Sequence, residues 1–113
     1  MDEKRKYRRV SFREPVLYRA LNSLQETGCL GYDIGGGGVR CRVNDFIPLG
    51  QELNLMLHLK NAQVVELTGR VVWIKKNAHS ESYQTGLKFL DIADVSPLKH
   101  KVDRLIEEAS RLS

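Results

Sequence analysis

The chain has 113 residues, 42% of them hydrophobic, and a formal net charge of +4. That length suits one compact domain, able to bury roughly 60–70% of its unfolded surface without disulfide or metal staples. No apolar stretch approaches the ~20 residues of a membrane span, and none follows the basic start. Spanning and secretory readings are therefore excluded, and a cytoplasmic protein is expected.

Residues 1–13 are polar and aperiodic, and six of them are Lys or Arg: Lys4, Arg5, Lys6, Arg8, Arg9 and Arg13. This predicts a flexible basic arm, ordered only when something holds it. A charge cluster at one end of the chain suits a small anion better than a long polyanion, which wants a stripe. Strands are expected over 15–22 and 29–33, with a turn around Glu26-Thr27-Gly28 between them. The run Asp33-Ile34-Gly35-Gly36-Gly37-Gly38 then predicts a tight turn.

After it, Val39, Cys41 and Val43 alternate with Arg40 and Arg42, a strand with its apolar face inward. Both arginines are expected in solvent. Cys29 and Cys41 could face each other across the turn and read as reduced core residues. His58, His79 and His100 share no ligand spacing with them, so no metal site is expected.

Pro48 and Gly50 punctuate a loop. Leu53, Leu55, Leu57 and Leu59 then alternate with polar neighbours, a strand with one buried face. A turn at Asn61-Ala62 leads into a strand over 64–74. There Val65, Leu67, Gly69, Val71 and Trp73 share one parity, and Val64, Val72 and Ile74 the other, so both faces are expected to be covered. Trp73 and Tyr83 read as packing residues. A last strand spans 83–90.

Leu98, Val102, Leu105, Ile106, Ala109 and Leu112 recur at three and four, an amphipathic helix over 96–112. Ser96 suits its N-cap and Pro97 its first position. The strand around Val72 and Ile74 is the candidate surface for its apolar stripe. The sum is about six antiparallel strands over 14–91 closing into a small barrel, followed by one C-terminal helix.

Two segments carry chemistry. Arginine pairs bidentately with phosphate and with guanine O6 and N7. Arg5 and Arg9 lie four residues apart in the arm. Asp33 can accept from guanine N1–H and N2–H₂, or orient an arginine. The glycines after it can take positive φ, letting backbone N–H groups converge on an anion. Each segment alone is ordinary; their coincidence on one barrel frame is not.

At these residues the chain resembles the PilZ domain, a bacterial receptor module for cyclic di-GMP. The family's Arg-x-x-x-Arg arm matches Arg5-Lys6-Tyr7-Arg8-Arg9. Its Asp/Asn-x-Ser-x-x-Gly turn matches Asp33 to Gly38, with Gly35 where the family usually has serine. Leu67-Thr-Gly69-Arg-Val-Val-Trp73 and Gly86-Leu-Lys-Phe89-Leu-Asp91 also fit.

The resemblance implies a six-stranded PilZ-type barrel with a terminal helix and cyclic di-GMP as ligand, with no cofactor. Arg5, Arg9, Asp33, Gly35 and Gly38 are then the binding residues, with Lys4, Arg8, Gly36 and Gly37 as further candidates. The missing serine hydroxyl costs one hydrogen bond, about 0.5–1.5 kcal/mol, which weakens the site without abolishing it if backbone or water substitutes.

The expected function is a non-catalytic effector whose arm closes on the nucleotide and signals to an as yet unidentified protein partner in motility, biofilm or exopolysaccharide control. The alternative is a PilZ-like protein-interaction module with weak or lost nucleotide binding. Nucleic acid is not an expected partner, because aromatics are sparse and the cations cluster at one end. No nucleophile–base pair, metal spacing or carboxylate pair suggests an enzyme.

Overall fold

The structure, a computed structural model, describes residues 9–58, 63–90 and 97–112. Among these residues seven strands and one helix form in chain order: β1 (Arg9–Ser11), β2 (Pro15–Ala20), β3 (Thr27–Gly35), β4 (Gly38–Val43), β5 (Glu52–His58), β6 (Val64–Lys76), β7 (Tyr83–Phe89) and α1 (Pro97–Leu112). All pairings are antiparallel. The sheet runs β3-β2-β5-β6-β7-β4, and β4 pairs back onto β3. The result is a closed six-stranded barrel with β1 as an extra strand and a single C-terminal helix, as the hydropathy pattern predicts. Closure removes the edges that an open sheet would expose.

The alternation expected for β4 and β5 is present. Val39, Cys41 and Val43 are buried, as are Leu53, Leu55 and Leu57, while the residues between them face outward. Leu59, Asn61, Ala62 and Ser96 lie outside the described residues. Cys29 and Cys41 are free thiols, Cys41 fully buried. A hydrogen bond with Cys29, then burial, then the neighbouring charge of Cys29 and Asp33 push the Cys41 thiol well above its ordinary range.

Three expectations are corrected. Residues 9–11 belong to the core structure: β1 pairs Arg9 with Gly35, Val10 with Ile34 and Ser11 with Asp33. Three residues are too short to show periodicity, and only the far half of β3, left uncovered by β2, gives them a partner. β3 also begins at Thr27, inside the predicted turn; the chain reverses earlier, at Leu21 and Asn22.

The third concerns β6. Its alternation holds to Val71 and then slips at a bulge between Val71 and Trp73. One extra residue reverses the facing of all that follow. Ile74 turns toward the core, and Trp73 turns out with 40% of its surface exposed. Val72 is exposed as well. The helix therefore does not cover Val72; it lies against β1 and, to a lesser extent, β6, burying Val102 and Leu105 beside Val10.

Candidate ligand-binding site

The glycine turn is a two-residue reversal, Gly36-Gly37, between paired Gly35 and Gly38. Phe89 N–H donates to the Gly37 carbonyl at 2.9 Å, which ties the turn to the end of β7. Left-handed φ among the described residues occurs only at Gly50 (84°) and His79 (61°). The turn glycines are thus not used for positive φ, contrary to expectation. At Gly38 the need is close packing: a Cβ there would sit 2.3 Å from the Leu87 carbonyl oxygen of the neighbouring strand.

Beside this turn, on the outer wall, opens a cavity of about 940 Å³. Residues from five strands line it: Arg9 and Ser11 of β1, Tyr32 and Asp33 of β3, Gly38 and Arg40 of β4, Val72 and Trp73 of β6, and Gly86 and Lys88 of β7. Arg13 and Gly37 complete its rim. That size is at the upper end of small-molecule sites, with a few polar groups converging on it.

Asp33 is the hub. Its Oδ1 accepts from Arg9 Nη2 at 2.6 Å and Nε at 3.1 Å. Its Oδ2 pairs with Arg40 Nη2 at 2.7 Å. The register accounts for this, because Asp33 is the strand partner of both Ser11 and Arg40. Two guanidinium groups thus share one carboxylate, leaving positive charge facing the cavity. The Arg40 guanidinium also lies 5.3 Å from the Tyr32 ring centroid, a cation–π distance.

The aromatic wall is set by the bulge and by a missing side chain. Trp73 pairs with Gly86, and its indole lies across that glycine. A Cβ at Gly86 would come within 2.2 Å of Trp73 Nε1. A flat indole beside several cations is a surface on which a purine can stack.

Of the residues read from sequence, the structure brings together Arg9, Asp33, Gly37 and Gly38 at the cavity. Gly35 and Gly36 are buried and do not line it. Arg5, Lys4 and Arg8 lie outside the described residues. Arg40, expected in solvent, is an integral part of the site, and Trp73, expected as packing, forms its aromatic wall. Their signals were present but ambiguous: alternation marks Arg40 as outward without saying what lies outside, and the bulge that frees Trp73 leaves no local trace. Arg42 is exposed and Tyr83 packs on the core, as expected. No three His, Cys, Asp or Glu side chains converge among the described residues. No helix there is long and apolar enough to cross a membrane.

Fold and site together define a small closed β-barrel whose outer wall carries a built, cationic and aromatic cavity. The chain belongs to the PilZ domain family, whose profile matches residues 3–108. No curated protein sequence matches it.

Among solved structures it is similar to the Bacillus subtilis inhibitor of motility, MotI/DgrA. There the identity is 22%, the TM-score is 0.78, and the match covers 98% of this chain and 52% of that one. It is also similar to the PilZ domain of YcgR from Escherichia coli, solved with c-di-GMP. In that case the identity is 17%, the TM-score is 0.76, and coverage is 97% and 94%. A third is the K. pneumonia MrkH–c-di-GMP complex, with 18% identity, a TM-score of 0.63, and coverage of 99% and 57%. The chain spans about half the length of MotI/DgrA and of MrkH. At these identities the likeness establishes the fold.

Proposed function

We propose that the chain is a cyclic di-GMP receptor that acts by binding, without catalysis. The observation that carries this reading is the Arg9–Asp33–Arg40 triad facing a cavity edged by Trp73. Guanidinium groups suit the phosphates, the carboxylate suits the donor edge of guanine, and the indole suits the face of a purine. Family membership and two relatives solved with c-di-GMP support the same ligand.

Residues 1–113 act as one module in this reading. Arg5 and the other arm residues before Arg9 close over the nucleotide once it bridges them to Arg9, an ordering driven by new ion pairs. The closed arm presents a new surface to a protein partner, in motility, biofilm or exopolysaccharide control. The cytoplasm, where such a nucleotide is made and read, is the proposed location.

Isothermal titration with cyclic di-GMP tests the core of the proposal. Saturable heat together with amide protection of the arm is expected; neither at millimolar ligand rejects it. Gly35 motivates a second reading, an interaction module with a lapsed nucleotide site. Partner capture that is equal with and without nucleotide favours that reading.

A further inference from the structure

We propose that Arg40 is a specificity-determining positioning residue. It fixes the Asp33 carboxylate so that the cavity accepts a guanine edge and rejects an adenine edge. The inference rests on the cyclic dinucleotide reading above and concerns how that site chooses its base.

The strands place the pair. Asp33 and Arg40 are direct partners across β3 and β4, and a bulge between Gly31 and Asp33 inserts Tyr32 as an extra residue. Tyr32 and Asp33 consequently both line the cavity, and Arg40 reaches both: Oδ2 of Asp33 at 2.7 Å and the face of Tyr32 at 5.3 Å. With Arg9 holding Oδ1 and Arg40 holding Oδ2, the plane of the carboxylate is clamped from two sides. Without Arg40 it hangs on Oδ1 alone and is free to turn.

The position of Arg40 shows what sets it. Its Nε is buried and has no hydrogen-bond partner among the described residues. An orphaned buried donor is unfavourable. The guanidinium accepts that cost while its Nη2 reaches Asp33 and its face meets Tyr32.

The consequence for base choice follows from donor and acceptor counts. A carboxylate has about four lone-pair sites; Arg9 takes two on Oδ1 and Arg40 one on Oδ2, so the remaining capacity lies on Oδ2. The Asp33 side chain remains 22% exposed at the cavity. Guanine offers two adjacent donors, N1–H and N2–H₂, to a carboxylate held in plane. Adenine offers one donor, N6–H₂, beside a lone pair at N1 that a carboxylate repels. Fixing the plane aims the remaining Oδ2 site at guanine's all-donor edge, whereas for adenine the repulsion at N1 offsets what N6–H₂ would gain.

The test titrates the full chain with cyclic di-GMP and cyclic di-AMP, comparing wild type with R40A and R40K. In R40A, cyclic di-GMP affinity is expected to fall roughly tenfold, the scale of a charge-assisted hydrogen bond, while cyclic di-AMP affinity stays within about twofold. R40K keeps the charge but lacks a planar group to pair with Asp33 and lie on Tyr32 at once. It is expected to regain only part of the cyclic di-GMP affinity, with cyclic di-AMP affinity unchanged, and so only part of the ratio.

An equal loss for both nucleotides in R40A, or an unchanged ratio, overturns the inference. Either result in a wild type that binds cyclic di-GMP leaves the ligand reading intact. A wild type that binds neither nucleotide defeats both. Tyr32→Leu, which removes the platform under Arg40, is read by the same ratio and covers the case in which R40A does not fold.

Discussion

The two ends of the barrel share their strands and differ in what those strands deliver. At the glycine-turn end, Arg9, Asp33, Arg40 and Trp73 converge on about 940 Å³. At the opposite end, where β2, β4 and β6 finish, a hollow of about 290 Å³ holds Arg19 and Asp45 beside Phe46. Arg19 is spent on the Ser23 carbonyl at 3.1 Å. Phe46 meets Tyr83 edge to face with ring centroids 5.8 Å apart, yet stays 59% exposed, and Leu24 is 94% exposed. Charge that converges and is only half neutralised makes a site; charge spent on its own loop makes a structure. The difference arises from two bulges, one before Asp33 and one before Trp73, both at the first end.

The largest effect that sharpens this contrast is expected at Gly38. Gly38→Ala drives a methyl into the Leu87 carbonyl and should cost about 1–3 kcal/mol of stability as β4 and β7 separate. Chemical denaturation measures it, and an unchanged midpoint means that the turn is not close-packed. Arg9→Ala should weaken cyclic di-GMP binding by about 1.5–3 kcal/mol while leaving the fold intact. Wild-type affinity in that variant would break the contrast outright, since the cationic end would then not be the binding end. Trp73→Ala should weaken binding by about 1–3 kcal/mol through lost stacking. Quenching of Trp73 fluorescence on titration is the matching observation for wild type, and a Trp73 emission indifferent to ligand would remove the aromatic wall from the site.

A smaller effect is expected at high pH. Folding raises the Cys41 thiol and, chiefly through burial, the Tyr18 phenol, whose ordinary values are 9.0 and 10.0. Both groups are neutral in folded and unfolded chains below about pH 9, so their contribution is then complete. As pH climbs past those values the unfolded chain loses the protons first, and stability falls until the folded values are reached. Melting temperatures from pH 7 to 11 should decline above pH 9, and Cys41→Val should delay the onset. The smallest effect is at the other end: Phe46→Ala should change cyclic di-GMP affinity by less than about 0.5 kcal/mol, as for a surface site away from the ligand. A large loss there would mean that the two ends communicate.

Much of the barrel was legible because alternation is a local property. Leu53, Leu55 and Leu57 announce a strand whatever surrounds them, and Val102 and Leu105 announce a helix face. Half of the site was legible on similar grounds, since Arg9, Asp33 and Gly38 fall at the spacing of a known motif. Arg40 and Trp73 were missed, as alternation gives only the side of the sheet on which a residue falls. β1 was missed because three residues carry no period.

The amino-acid order by itself determined most of the strands, the helix and the inward faces, because each depends on neighbours within a few positions. Only the tertiary structure decided that Arg40 shares the Asp33 carboxylate, that Trp73 leaves the core to lie over Gly86, and that β1 completes the wall. Those outcomes depend on strand register and on single-residue bulges, which are set by packing between segments far apart in the chain.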